Sequence, residues 1–222
     1  MLQITPSLPA QSFEEIESLV HTLKDVIPMF QIDIVDGAFA PTTSWPFTEK
    51  NNHRESFKKL AAFTAIVPIE IDCMVMHPEK YIHDFYEAGV KSVIVHMGST
   101  TVYEDIILHA RMHGYKIGLA LTNDVQVSAL APFVSEIDFV QVMGIAHVGA
   151  QGQPFDTRTI NTITTLIRRY PRLPLVVDGA VNESTIVQLR DAGATRFAPG
   201  SAVAKHPDPV LAYKQLCVLI GV

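Results

Sequence analysis

The feature that most constrains this chain is an alternation, repeated eight times, of a short apolar run with a helix-like segment. Runs at residues 2–5, 29–34, 67–74, 92–96, 116–121, 137–142, 173–177 and 195–198 have the length of strands. They are almost continuously apolar, the pattern of parallel strands buried on both faces. Ser12 and Glu15 form a capping-box pair that opens the first helix, with Phe13, Ile16, Leu19 and Leu23 at helical spacing. A weaker helix is expected over 54–63. Pro78 suits the first position of a helix that ends at Gly89, and Thr101 with Glu104 offers a second capping box for a helix closed by Gly114. Further helices are read at 125–133, at 157–170, from a cap at Asn182 to Gly193, and at 207–219. Three joints, at Gly89, Gly114 and Gly193, place glycine at a helix end just before an apolar strand. The reading is an α/β chain forming a single (β/α)₈ barrel domain over 1–222. A doubly wound sheet would carry a glycine-rich nucleotide fingerprint after its first strand, and Pro6-Ser7-Leu8-Pro9 is not one.

With 222 residues, 48% of them apolar and only 18% charged, the chain suits one such barrel, and a homo-oligomer interface is expected to cover part of its surface. The net charge of −6, with no Lys/Arg-rich block, argues against nucleic acid as a partner. No apolar stretch approaches the ~20 residues that span a bilayer. Met1-Leu2-Gln3-Ile4-Thr5-Pro6 has no signal-peptide character. Cys73 and Cys217 sit in apolar contexts and read as free thiols of a reducing compartment. The expectation is a soluble cytoplasmic protein without a membrane partner.

Two apolar runs lead into Asp-Gly: Gln31-Ile32-Asp33-Ile34-Val35-Asp36-Gly37 and Leu173-Pro174-Leu175-Val176-Val177-Asp178-Gly179. In a (β/α)₈ barrel the C-terminal ends of the strands carry the active site. Asp33 and Asp178 are therefore candidate catalytic acids facing each other across a substrate, the alternative being turn caps. Asp178-Gly179-Ala180 and Ala198-Pro199-Gly200-Ser201-Ala202 follow strands seven and eight, where barrels often bind phosphate through glycine-rich backbone and hydroxyls. The long loop 144–155, with Gly144, Gly149 and Gly152, is a second phosphate-binding candidate. His147 within it either contacts substrate or is solvated. Trp45 is read as a pocket cap or an oligomer contact, and Met29, Met97 and Met143 as pocket-shaping or packing residues. His21, His53, His83, His109 and His113 are read as solvated surface.

Together these segments resemble the ribulose-phosphate 3-epimerase family. The resemblance is carried by Pro6-Ser7-Leu8, by Asp33-Ile34-Val35-Asp36-Gly37-Ala38-Phe39-Ala40-Pro41 and by Met74-Val75-Met76-His77-Pro78-Glu79-Lys80-Tyr81. It continues through Glu87-Ala88-Gly89 with His96, Gly149-Ala150-Gln151-Gly152-Gln153, Val177-Asp178-Gly179 and Gly200-Ser201-Ala202, in family order over essentially the whole chain. It implies a barrel that uses two aspartates and a divalent metal to invert C3 of a ketopentose 5-phosphate. Asp33 and Asp178 fall on the acid/base positions, Ser7 and Met74 on the substrate pocket, and Gly149, Gly152, Gly179, Gly200 and Ser201 around the phosphate of a small phosphorylated sugar.

The departures bear on the metal. Gln31 and Asp72 stand where the resemblance implies metal-binding histidines, Ala38 replaces a histidine, and Ala180 replaces a glycine. Gln31, Asp33, Asp72 and Asp178 then form an all-oxygen set that suits Mg²⁺ or Mn²⁺ better than Zn²⁺. Without a metal, crowding is expected to raise the pKa of at least one of Asp33, Asp72 and Asp178, so that two of the three carboxylates share a proton. Two rival readings keep the barrel: an aldolase or decarboxylase, and a sugar-phosphate-binding protein that has lost the zinc site and its activity.

Overall fold

The computed structural model describes residues 2–50, 52–149 and 152–222. Its strand segments are β1 (Gln3–Ile4), β2 (Ser7–Leu8), β3 (Phe30–Val35), β4 (Ile69–Met74), β5 (Ser92–His96), β6 (Lys116–Leu121), β7 (Phe139–Met143), β8 (Leu175–Asp178) and β9 (Arg196–Ala198). All pairings are parallel, in the order β1-β9-β8-β7-β6-β5-β4-β3-β2. β1 and β2 are two halves of one barrel strand, so the sheet closes on itself. The Thr5 N–H donates to Phe197 O at 2.8 Å on one side, and the Gln31 N–H donates to Pro6 O at 2.9 Å on the other. Pro6 has no N–H to give the ladder, which accounts for the break and for the part of this strand, Ser7–Leu8, that apolarity alone does not reveal.

The helices are α1 (Phe13–Leu23), α2 (His53–Lys58), α3 (Ala61–Thr64), α4 (Ile82–Glu87), α5 (Tyr103–His113), α6 (Arg158–Arg169), α7 (Ile186–Ala192), α8 (Ser201–Ala204) and α9 (Pro209–Ile220). Ser12 caps α1 by accepting from the Glu15 N–H, while the Glu15 carboxylate reaches Gln11 N rather than the cap itself. The second capping box does not form. Thr100 rather than Thr101 accepts from Val102 N, and α5 starts at Tyr103. The helix expected over 54–63 is broken into α2 and α3, and Pro78 opens a single 3₁₀ turn, Pro78–Lys80, ahead of α4. Residues 125–133 hold only the 3₁₀ turn Val127–Leu130. Asn182 caps a turn through Ser184 N, and α7 begins beyond it.

Side chains alternate across each strand. Ile32, Ile34, Ile71, Val93, Val95, Val140, Val142 and Val177 belong to the main apolar core with the helices. The opposite parity fills the barrel, where Ile94, Ala120, Phe139 and Val176 form a small apolar plug. Toward the N-terminal ends of the strands, Arg196 pairs with the buried Glu70 at 2.8 Å and stacks its guanidinium 4.4 Å from the Phe139 ring. This leaves the C-terminal ends for chemistry.

Trp45 is fully buried between Phe13 and Phe57, with its indole N–H donating to Glu49 at 3.1 Å. It is core, neither a pocket cap nor an oligomer contact. Cys73 and Cys217 are free thiols. Among the described residues no helix is long and apolar enough to cross a membrane.

Candidate active site

Parity places Gln31 and Asp33 of β3, Asp72 of β4, His96 of β5, Gln141 of β7 and Asp178 of β8 inside the barrel, all buried. One carboxylate oxygen from each of Asp33, Asp72 and Asp178 lies within 4.8 Å of the others. Asp178 ends its strand as expected, whereas β3 and β4 run two residues past Asp33 and Asp72. Those two acids therefore sit deeper than a strand end, side by side in register.

The triad is held by amides and one imidazole. Gln31 Nε2 donates to Asp33 Oδ1 at 2.8 Å and to Asp178 Oδ2 at 2.9 Å, bridging two acids 145 positions apart in the chain. Gln141 Nε2 donates to Asp72 Oδ2 at 2.8 Å, and His96 Nε2 lies 2.8 Å from Asp72 Oδ1. Burial pushes the Asp33 carboxyl well above the usual carboxylate range, and the charge of Asp72 adds to it, against the opposing hydrogen bond from Gln31. Burial does the same to Asp178, helped by the charges of Asp33 and Asp72. Burial and mutual charge thus favour the protonated form of both acids where no cation replaces the proton. A hard divalent cation suits a buried set of three carboxylates. The side-chain oxygens of Gln31 and Gln141, whose amide nitrogens touch these carboxylates, have no hydrogen-bond partner.

Above the triad opens a cavity of about 370 Å³. Asp33 and Asp178 form part of its wall, together with Ser7, Met74, Gly149, Gly152, Gly179, Gly200 and Ser201. The seven substrate and phosphate positions implied by the resemblance thus line one space, with Gln31 and Asp72 beneath it, while Gly144 of the 144–155 loop lies outside the wall. Ala150 and Gln151 of the 144–155 loop lie outside the described residues. Met143 also lines the cavity, while Met29 sits at the opposite end against Arg196. His147 is exposed and absent from the wall.

The rim is built by close backbone approach. Gly144 N donates to Asp178 O at 2.6 Å, and a Cβ on Gly144 would stand 2.0 Å from the Gly179 carbonyl oxygen. Ala180, at φ 53, is left-handed without being glycine, and its carbonyl is pinned by Asn182 Nδ2 at 3.0 Å and Thr185 Oγ1 at 2.7 Å. Thr42 hydrogen-bonds the Gly149 carbonyl, which ties the 144–155 loop to the loop after β3. Asp36 joins that loop to the next one, accepting from Ala38 N, Phe39 N and Met76 N at 2.8–2.9 Å.

The sequence reading did not single out Gln141, and it used His96 only as a family match. A polar residue at inward parity in the otherwise apolar Phe139-Val140-Gln141-Val142-Met143 was the available signal.

The model of the ribulose-phosphate 3 epimerase family matches residues 3–204. A ribulose-phosphate 3-epimerase of Schizosaccharomyces pombe is 33% identical over 94% of this chain and 90% of its own. One of Escherichia coli K12 is 25% identical over 92% and 90%. Among solved structures, a tryptophan synthase α-subunit variant from Pyrococcus furiosus superposes with a TM-score of 0.75 at 16% identity, covering all of both chains. The 3-hexulose-6-phosphate synthase of Salmonella typhimurium superposes at 0.74 and 15%, covering 99% of this chain and 98% of that one. These two similarities concern the barrel alone. With its motifs in order and its two Asp-Gly strands converging on one cavity, the chain belongs to the ribulose-phosphate 3-epimerase family.

Proposed function

We propose that this protein is a sugar-phosphate epimerase that inverts C3 of a ketopentose 5-phosphate, with Asp33 and Asp178 as the two proton-transfer groups. The observation that carries this reading is the pair of carboxyls from β3 and β8 in one cavity wall, bridged by a single amide of Gln31. One carboxylate takes the proton from the carbon next to the carbonyl, and the other carboxyl returns a proton to the opposite face. Their raised proton affinity supports this, because an acid that keeps its proton can deliver it while an ionised partner takes one. Ser7 and Met74 border the sugar. Backbone N–H groups at Gly179, Gly200 and Ser201, with the loop at Gly149 and Gly152, surround the phosphate; the first N–H groups of a helical turn such as α8 lack helical acceptors.

Asp33, Asp72 and Asp178 would hold the cation, joined by the side-chain oxygen of Gln31 once its amide turns from the donor bridge it makes here, and this oxygen set favours Mg²⁺ or Mn²⁺ over Zn²⁺. Such a cation would stabilise the negative charge that develops on the substrate oxygens. Among the described residues lining the cavity none is a lysine, which favours epimerisation over Schiff-base aldol chemistry.

The test is proton NMR of D-ribulose 5-phosphate incubated with the chelator-treated protein and then with Mn²⁺. The expected product is the C3 epimer alone, at unchanged carbon number. Carbon–carbon cleavage would favour the aldolase or decarboxylase reading, and tight binding without turnover the non-catalytic one.

A further inference from the structure

Six buried side-chain polar atoms among the described residues have no hydrogen-bond partner. Three of them, Gln31 Oε1, Gln141 Oε1 and His96 Nδ1, belong to the residues whose other polar atom touches the acid triad. An unpaired buried polar atom is costly, so folding alone does not select these side chains. Position 141 is flanked in register by Ala120 and Val176, both in the apolar plug inside the barrel, so an apolar residue would suit it. The return on Gln141 lies in its Nε2, which crosses the barrel from β7 to reach Asp72 on β4. His96, from the strand beside β4, meets the other oxygen of Asp72. Both oxygens of Asp72 are thereby fixed, whereas Asp33 and Asp178 share one amide nitrogen.

We propose that Gln141 is a positioning residue which, working against His96, fixes the carboxylate plane of Asp72 as an oxygen donor toward the cation of the epimerase site. The proposal rests on the cation reading given above. Hydrogen-bond partners of metal ligands set ligand orientation, and their loss typically weakens metal binding ~10–100-fold. A residue that merely filled space would alter melting without altering cation affinity.

The experiment is a titration of the chelator-treated, full-length protein with Mn²⁺ alone, following free Mn²⁺ by electron paramagnetic resonance. The wild type should take up about one ion per chain, and Gln141→Met, of similar volume but without the N–H, should bind it roughly 10–100-fold more weakly. Thermal melts establish that the variant is folded. Gln141→Asn, which keeps an amide but shortens its reach, carries the same expectation should the methionine variant fail to fold. Unchanged Mn²⁺ affinity in the folded variant overturns the proposal and leaves the cation reading standing. A wild-type protein that takes up no Mn²⁺ overturns the cation reading and this proposal with it.

Discussion

In the proposed mechanism Asp33 serves chemistry at the expense of stability. Its carboxyl is buried next to Asp72 and near Asp178, and burial is the largest reason that its proton affinity rises. Because Asp33 and Asp178 bind protons more tightly folded than unfolded, their contribution to stability is greatest in acid. It is lost as pH rises from about 4 through their raised folded values. Chelator-treated wild type should therefore lose melting temperature between acidic and neutral pH. Asp33→Asn, which removes one charge and lessens the repulsion on Asp178, should melt higher at neutral pH, by about 2–4 °C for each kcal/mol recovered. It should also flatten that slope. Melting curves against pH check this, and a neutral-pH melting temperature below that of the wild type would contradict it. Selectivity for the cation is argued at the same scale. The double change Gln31→His with Asp72→His supplies two imidazoles, and isothermal titration should find zinc affinity raised by an order of magnitude or more. Tight stoichiometric zinc in the unchanged protein would contradict the oxygen-donor assignment.

At the scale of elements, the rim of the cavity depends on how closely β7 and β8 release their loops. Gly144 lies against the Asp178 and Gly179 carbonyls, and backbone cannot yield as a flexible side chain can. Gly144→Ala should cost on the order of 2–3 kcal/mol in chemical denaturation and displace the Gly179 loop, raising the KM for a sugar phosphate more than it lowers kcat. Equal stability would show that the loop has room the geometry denies. The same elements mark what the sequence reveals. Strand runs and glycine-ended helices are legible because burial on both faces forces apolarity and left-handed helix ends favour glycine. The split first strand, the break between α2 and α3, and the four-residue α8 are not, because backbone hydrogen bonds rather than hydrophobic period decide them. Thr101 and Glu104 matched a capping box, but α5 starts at Tyr103 with Val102 at its N-cap, one residue later than that motif requires.

At the scale of the molecule, closure of the barrel brings together side chains that no local pattern links. Asp33 and Asp178 were legible because each lies in an apolar run that leads into an Asp-Gly turn. Gln141 was not, because its meaning lies in reaching across the barrel to Asp72. The cavity wall proposed to bind phosphate was legible for a topological reason: loops after neighbouring strands emerge side by side, so glycine-rich segments far apart in sequence meet around one cavity. The central claim, that two carboxyls work on opposite faces of one carbon, is tested most directly by solvent exchange. D-Ribulose 5-phosphate incubated in D₂O with the wild type and Mn²⁺ should gain deuterium at C3 in both epimers. Asp33→Asn and Asp178→Asn should each lose interconversion by about 10³-fold or more, while one of them still exchanges the C3 proton of the starting ketose without inverting it. Interconversion that survives in both variants would contradict the account.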